Sequence, residues 1–167
     1  YSSAASDVYK RQNQMGVIYG CHNFVPTMKK QRSGHIINIA SAASFMAAPT
    51  MSPYNVTKAA VLSLSETLYS ELLQQNINIS VVCPTFFKTN VMQHGRGDQK
   101  QQKAGQKMVD KSGIEPSEVA QLVLKEAGKK TFYIVHPFSA KVLWSIKRLF
   151  PTKMINFIGK KYDSSRR

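Results

Sequence analysis

Acidic residues are scarce in this chain. Nine Asp and Glu stand against 23 Lys and Arg in 167 residues, a formal net charge of +14. That excess selects anionic partners, such as phosphates, lipid headgroups or nucleic acid; its blandest form is a solvated face that aids solubility. Cysteine is scarcer still. Cys21 and Cys83 are too few for a disulfide framework, and both lie in apolar stretches, as reduced buried thiols of a cytoplasmic protein would. His22 adjoins Cys21, but His35, His94 and His136 are scattered, so no Cys/His set has ligand spacing and no metal site is expected. No apolar run approaches the roughly 20 residues that span a bilayer. The start lacks the basic, apolar, small-residue order of a signal peptide. Nowhere is there a Gly-x-x-x-Gly-x-Gly loop, the turn that seats a pyrophosphate on a helix N-terminus.

What is present reads as one folded domain: the length fits, and 43% hydrophobic residues suffice for a core. Residues 1–12 are the exception. Ser2-Ser3-Ala4-Ala5-Ser6-Asp7 has neither helical nor strand period, and the segment reads as a non-native leader outside the fold. From Asn13, Met15, Val17, Ile18, Cys21, Phe24, Val25 and Met28 recur at helical spacing. Pro26 is expected to kink this helix, and Lys29, Lys30, Arg32 and Gly34 to end it. His35 to Ala40 is an isoleucine-rich strand and Ser41 to Ser52 a loop. Pro53 opens a helix with Val61, Leu64, Leu68 and Leu72 on one side, stopping near Asn76. Ile77 to Cys83 is a second strand, closed by Pro84. Thr85 to Gly113 is long and polar, the composition of a lid or a loop without regular structure. Glu115 to Glu118 opens a helix ended by Gly128, and Thr131 to Val135 is a third strand. Two basic amphipathic helices, Ser139 to Phe150 and Thr152 to Lys160, split at Pro151, make an extension over 138–167. Alternating helices and strands predict an α/β fold with parallel strands and right-handed crossovers.

One constellation carries chemistry. Tyr54 and Lys58 are four positions apart and share a helical face, and Ser41 stands thirteen residues before Tyr54 at a strand end. A phenol can give or take a proton, a nearby ammonium lowers its pKa, and a hydroxyl can stabilise charge on a substrate oxygen. Ser44 is the rival hydroxyl; the spacing favours Ser41.

With Asn13-Gln14-Met15-Gly16-Val17 before these residues and Pro84-Thr85-Phe86-Phe87-Lys88-Thr89 after them, the chain resembles the C-terminal, catalytic half of the short-chain dehydrogenase/reductase family over about residues 13–135. The resemblance implies a partial Rossmann-type, doubly wound parallel sheet over 13–137: the last three strands with flanking helices, followed by the C-terminal helices. It implies an NAD- or NADP-dependent oxidoreductase that interconverts an alcohol and a carbonyl by hydride transfer. Tyr54 would be the acid/base. Lys58 would lower its pKa and hold the nicotinamide ribose, Ser41 would bind the substrate oxygen, and Asn13 would sustain a water-linked proton relay to the lysine. Thr89 would bind the carboxamide, with Pro84, Thr85 and Phe87 alongside. The family's glycine-rich half is absent, and with it the strand end that selects NAD or NADP. Thr85 also replaces a usual glycine, and Ala40 a frequent serine.

The same resemblance implies a homodimer through helices 13–29 and 54–74, an exposed edge at Ile36 to Ile39, and no activity from this chain alone. Other readings are a non-catalytic fragment or pseudo-enzyme, and a peripheral membrane-surface protein. The last rests on the extension. There Val142, Leu143, Ile146, Leu149, Phe150, Met154, Ile155 and Ile158 form an apolar stripe beside Trp144, with Lys141, Lys147, Arg148, Lys160 and Lys161 interspersed. Such a segment lies on an anionic membrane, or packs on the domain or over the substrate pocket of a cytoplasmic protein. Nucleic acid is not an expected partner, for want of a stacking platform or binding motif. Phe45, Met46, Phe86, Val91 and Met92 flank the site and suggest a lipophilic substrate.

Overall fold

A computed structural model describes residues 7–89 and 99–164. From Asp7 the chain is already helical. It passes through a π-helical turn, Lys10–Met15, into α1, Gly16–Gln31. The leader expected to lie outside the fold is therefore helical from Asp7 on, and Lys10–Met15 packs against the long helix that follows β1. α1 accommodates Pro26, and its C-terminal signal falls two residues earlier than expected. Arg32 takes the left-handed conformation (φ 51°) and closes the helix through its N–H on the Lys29 and Met28 carbonyls. Gly34 serves a different purpose: a Cβ there would lie 2.4 Å from Met28 Sδ, so the bare backbone lets the strand start beneath the helix.

The strands are β1, Gly34–Ile39; β2, Ile77–Pro84; and β3, Tyr133–His136. They form one parallel sheet in the order β1-β2-β3, with Ile39 opposite Val82 and Pro84 opposite His136. Between β1 and β2 lie a short helix α2, Ala43–Met46, inside the expected loop, and the 21-residue α3, Ser52–Leu72. The stretch from Thr85 also corrects the sequence expectation, because its second half is a helix, α4, Gln99–Ser112. α5, Pro116–Gly128, starts as expected with Pro in its first turn and a reciprocal capping box between Glu115 and Glu118. α6, Phe138–Leu149, and α7, Pro151–Ser164, complete the chain.

β2 is the central strand and is buried almost throughout, as a strand between two parallel neighbours should be. β1 is an edge: Ile39 is 50% exposed. Val61, Val81, Cys83, Val135 and Ala140 form one core cluster with Phe45, while Leu72, Ile77 and Ile79 form another beneath α1. A polar link runs between sheet and helices. Asn38 Nδ2 donates to Ser65 Oγ (3.0 Å), Ser65 Oγ donates to the Val61 carbonyl (2.7 Å), and Cys21 Sγ lies 3.8 Å from Asn38 Oδ1. A second link crosses the sheet. Ser80 Oγ donates to the Thr131 carbonyl at 2.7 Å, so the 2.8 Å contact from His35 Nε2 must be made by an Nε2–H. Burial, with Lys130 nearby, holds the His35 pKa below its ordinary value.

Two outcomes follow. Asn38→Ala leaves Ser65 without its donor and opens space in the core; it should cost about 2 kcal/mol, read as a lower urea midpoint at unchanged slope. Because folding depresses the His35 pKa, the unfolded chain binds the proton more readily. Stability is complete well above the ordinary imidazole value and falls as pH drops through it, until the folded chain is protonated too. His35→Asn should flatten urea midpoints across that window.

Candidate active site

The site begins where β1 stops. Beyond Ile39 the chain stays on β2: Ala40 N–H donates to the Val82 carbonyl and Ala42 N–H to the Pro84 carbonyl, each at 2.8 Å. Alternation then buries Ala40 and Ala42 and leaves Ser41 between them half-buried, on the other side. The turn after it is locked by its own hydroxyls. Ala43 N–H donates to Ser41 Oγ (3.2 Å), and Ser44 Oγ donates to the Ser41 carbonyl (2.6 Å). Ser44, the rival on spacing, thus braces the backbone of Ser41 and reaches the Cys83 thiol at 3.8 Å.

α3 brings in the other two groups from its first two turns. The Tyr54 phenol is driven above its ordinary pKa by burial; the Ser41 hydroxyl, as its hydrogen-bond partner, pulls it back, and Tyr9 adds to the rise. Tyr9 meets the Tyr54 ring edge-on at 5.7 Å. Lys58 stands one turn further along the same helix. Its Nζ lies 5.9 Å from the centre of the Tyr54 ring and donates to the Ile39 carbonyl at 2.9 Å. Burial lowers the Lys58 pKa, against which the Cys83 thiol acts. The Cys83 thiol is itself pushed up to about 11 by burial, so it is inert near neutrality.

Of the remaining sequence candidates, Asn13 sits in the π-helical turn that packs on α3. Among the described residues no side-chain hydrogen bond joins it to Lys58. Pro84 ends β2, Thr85 N–H donates to the His136 carbonyl (3.0 Å), and Phe87 is half-buried. Thr89 lies with Lys88, Gln106, Asp110 and Glu115 around an open depression between the segment after β2, α4 and the start of α5. Lys88 pairs there with Glu115. Phe45 belongs to the core rather than to a pocket. Met46 lines a small apolar cleft with Ala47, Pro49, Ile155, Ile158 and Gly159, about 120 Å³ between the Ser41 loop and α7. Val91 and Met92 lie outside the described residues.

This arrangement has known relatives. The family model described as short chain dehydrogenase matches residues 2–100, which hold Ser41, Tyr54, Lys58 and Pro84 to Thr89. The chain belongs to the short-chain dehydrogenase/reductase family. It is 30% identical over 112 residues to an uncharacterized oxidoreductase of Staphylococcus aureus strain USA300, covering 67% of this chain and 44% of that protein. It is 41% identical over 66 residues to human dehydrogenase/reductase SDR family member 4, covering 40% of this chain and 24% of that protein. A short chain dehydrogenase/reductase from Burkholderia phymatum, solved with NAD, superposes with a TM-score of 0.71 at 28% identity, over 82% of this chain and 56% of that one. The chain spans under half the length of the S. aureus relative.

For a short-chain dehydrogenase/reductase chain, two groups of residues escaped the sequence reading. Asn38 and Ser65 look like ordinary polar residues in an apolar strand and helix; only their meeting shows a function. Likewise Tyr133 donates to Glu66 Oε1 at 2.6 Å, and the Arg148 guanidinium lies 4.9 Å from the Trp144 ring and 5.6 Å from that of Tyr133. That cluster ties α3, β3 and α6 together across long sequence separations.

The Ser41–Tyr54 coupling has a direct readout. Ser41→Ala removes the group that lowers the phenol's pKa, so Tyr54 should ionise at higher pH. The measurement is alkaline tyrosinate absorbance, taken as a difference from the matching Tyr54→Phe chain. An unchanged or lower midpoint would show that the two hydroxyls are not coupled.

Proposed function

We propose that this chain carries the reaction half of an oxidoreductase that interconverts an alcohol and a carbonyl with NAD or NADP. One observation supports this reading above the others: the Ser41 hydroxyl acts on the Tyr54 phenol at the C-terminal end of a parallel sheet, with the Lys58 ammonium 5.9 Å from the centre of the phenol ring. That end is where open α/β sheets bind ligands. When bound, the nicotinamide supplies or accepts the hydride.

The chain's own groups divide the remaining work. Tyr54, with its pKa raised, holds its proton near neutrality and serves as the acid when a carbonyl is reduced. Ser41 Oγ accepts the Ala43 N–H, and its O–H, which lowers the phenol's pKa, can turn to donate to a substrate oxygen that is gaining charge. Lys58 is one helical turn away, over the Tyr54 ring, and donates to the Ile39 carbonyl. Released from it, the ammonium can reach ribose hydroxyls and favour the ionised phenol needed for alcohol oxidation. Asn13 would orient water toward that lysine. Pro84, Thr85, Phe87 and Thr89 would line the nicotinamide end, to which these polar and backbone groups are suited. The pyrophosphate end has no seat among the described residues, since none of them form a glycine-rich turn at a helix N-terminus. The cleft at Met46, Ile155 and Ile158 suits a lipophilic substrate portion. Exposed Tyr19 and Phe24 on α1 and Val56 on α3 suit a homodimer face on those helices.

The chain alone should bind neither NADH nor NADPH at micromolar concentration in a nicotinamide fluorescence titration. Joined downstream of the glycine-rich half of the human relative, it should oxidise one of them in the presence of a bulky ketone. Tyr54→Phe should then cut turnover by about 10²–10⁴-fold. A joined chain that turned over equally well without the phenol would overturn the proposal.

A further inference from the structure

We propose that α6 and α7 form a docking surface for an anionic lipid bilayer. The observation is a division of faces. α6 packs inward through Ala140, Leu143 and Trp144, with Trp144 against Tyr133 at 4.8 Å. Arg148 over Trp144, and Tyr133 bonded to Glu66, fix that inward face. The outward face is therefore not a spare packing surface of the same domain. It nonetheless carries Phe138, Val142, Ile146 and Leu149, with Phe138 77% and Leu149 71% exposed. At 3.6 residues per turn these four fall within an arc of about 80°, and Lys141 and Arg148 border it on one side. On α7, Phe157 is 60% exposed and shares its side of the helix with Lys153, Lys160 and Lys161. Lys153 also lies 5.3 Å from the ring of exposed Phe150 at the junction.

Charge selects the occupant. Residues 138–164 hold six Lys and Arg and a single acid, Asp163. Exposed apolar side chains rimmed by cations match a leaflet of anionic headgroups over acyl chains: the apolar groups enter the boundary and the cations meet the phosphates. A neutral apolar partner would leave those cations unmatched. α6 has 12 residues and α7 has 14, and among the described residues no helix is long and apolar enough to cross a membrane, so the helices lie on the bilayer. Nor is this face the open side of the sheet. β1 lies at one side of β2, whereas α6 follows β3, on the other side, and packs on it.

The experiment is flotation of the full chain with vesicles, which separates bound protein, rising, from aggregate, sinking. With vesicles of equal parts phosphatidylcholine and phosphatidylserine the chain should float; with phosphatidylcholine alone it should mostly stay behind. Ile146→Ser, Leu149→Ser and Phe157→Ser together should weaken binding about tenfold or more. Lys141→Glu, Lys153→Glu and Lys160→Glu together should do the same, and the remaining binding should be lost in high salt. Lys103→Glu, Lys107→Glu and Lys125→Glu make the same charge change on α4 and α5 and should leave flotation nearly intact. Equal loss in both charge variants would mean generic attraction and overturn the proposal, as would equal flotation on the two lipids or on neither. A dimer that the serine variant dissolves without changing flotation would assign the face to a second copy. None of these readouts involves turnover, so the surface and the oxidoreductase reading stand or fall separately.

Discussion

Two backbone hydrogen bonds beyond the end of β1 govern the site. By donating from Ala40 and Ala42 to the β2 carbonyls of Val82 and Pro84, the chain continues the parallel ladder past the last strand residue. Ser41 therefore leaves the sheet in a defined direction instead of floating in a loop. Its turn is then closed by the Ser44 hydroxyl and the Ala43 N–H. A hydroxyl that must meet a phenol within hydrogen-bond range needs that kind of support, since small misplacement weakens an aligned contact steeply.

α3 is the second element on which everything converges. Its first two turns hold Tyr54 and Lys58; its middle buries Val61 and Ser65, and its last turn buries Leu72. Apolar burial supplies most of the stabilisation between helix and sheet. The Asn38–Ser65 bond adds less energy but more definition. If β1 slipped by one residue, Asn38 would pass to the other face and leave Ser65 unpaired. Helix register, and hence the approach of Tyr54 to Ser41, depends on that polar contact as well as on packing.

The molecule handles charge in two opposite ways. Around the site, burial favours neutral forms: the Tyr54 phenol and Cys83 thiol are pushed up, and the Lys58 ammonium is pushed down. On the surface, cations are concentrated with few acids to balance them. The first arrangement keeps a proton donor loaded near neutrality. The second directs the chain's outer helices toward anionic surroundings, and their outward apolar residues distinguish that from mere solubility.

Much of this was legible in the residues. The period-based elements, the helix start at Glu115, the three parallel strands, the split at Pro151 and the reactive side-chain types at Ser41, Tyr54 and Lys58 all follow from spacing and local chemistry. Three things did not. The helix from Gln99 and the helical residues from Asp7 to Gln12 lack a clear apolar period, so their state is decided by their surroundings. Lys58's bond to the Ile39 carbonyl was not legible, because a lysine's reach covers several acceptors and only the fold shows which one is at hand. The polar links Asn38–Ser65 and Tyr133–Glu66 join residues 27 and 67 positions apart. Sequence by itself determined the local elements and the kinds of reactive group, because helix and strand periods and side-chain chemistry are properties of neighbours. Only the tertiary structure decided which groups meet, how burial moves their protons and which apolar faces stay uncovered, because those depend on residues far apart in the chain.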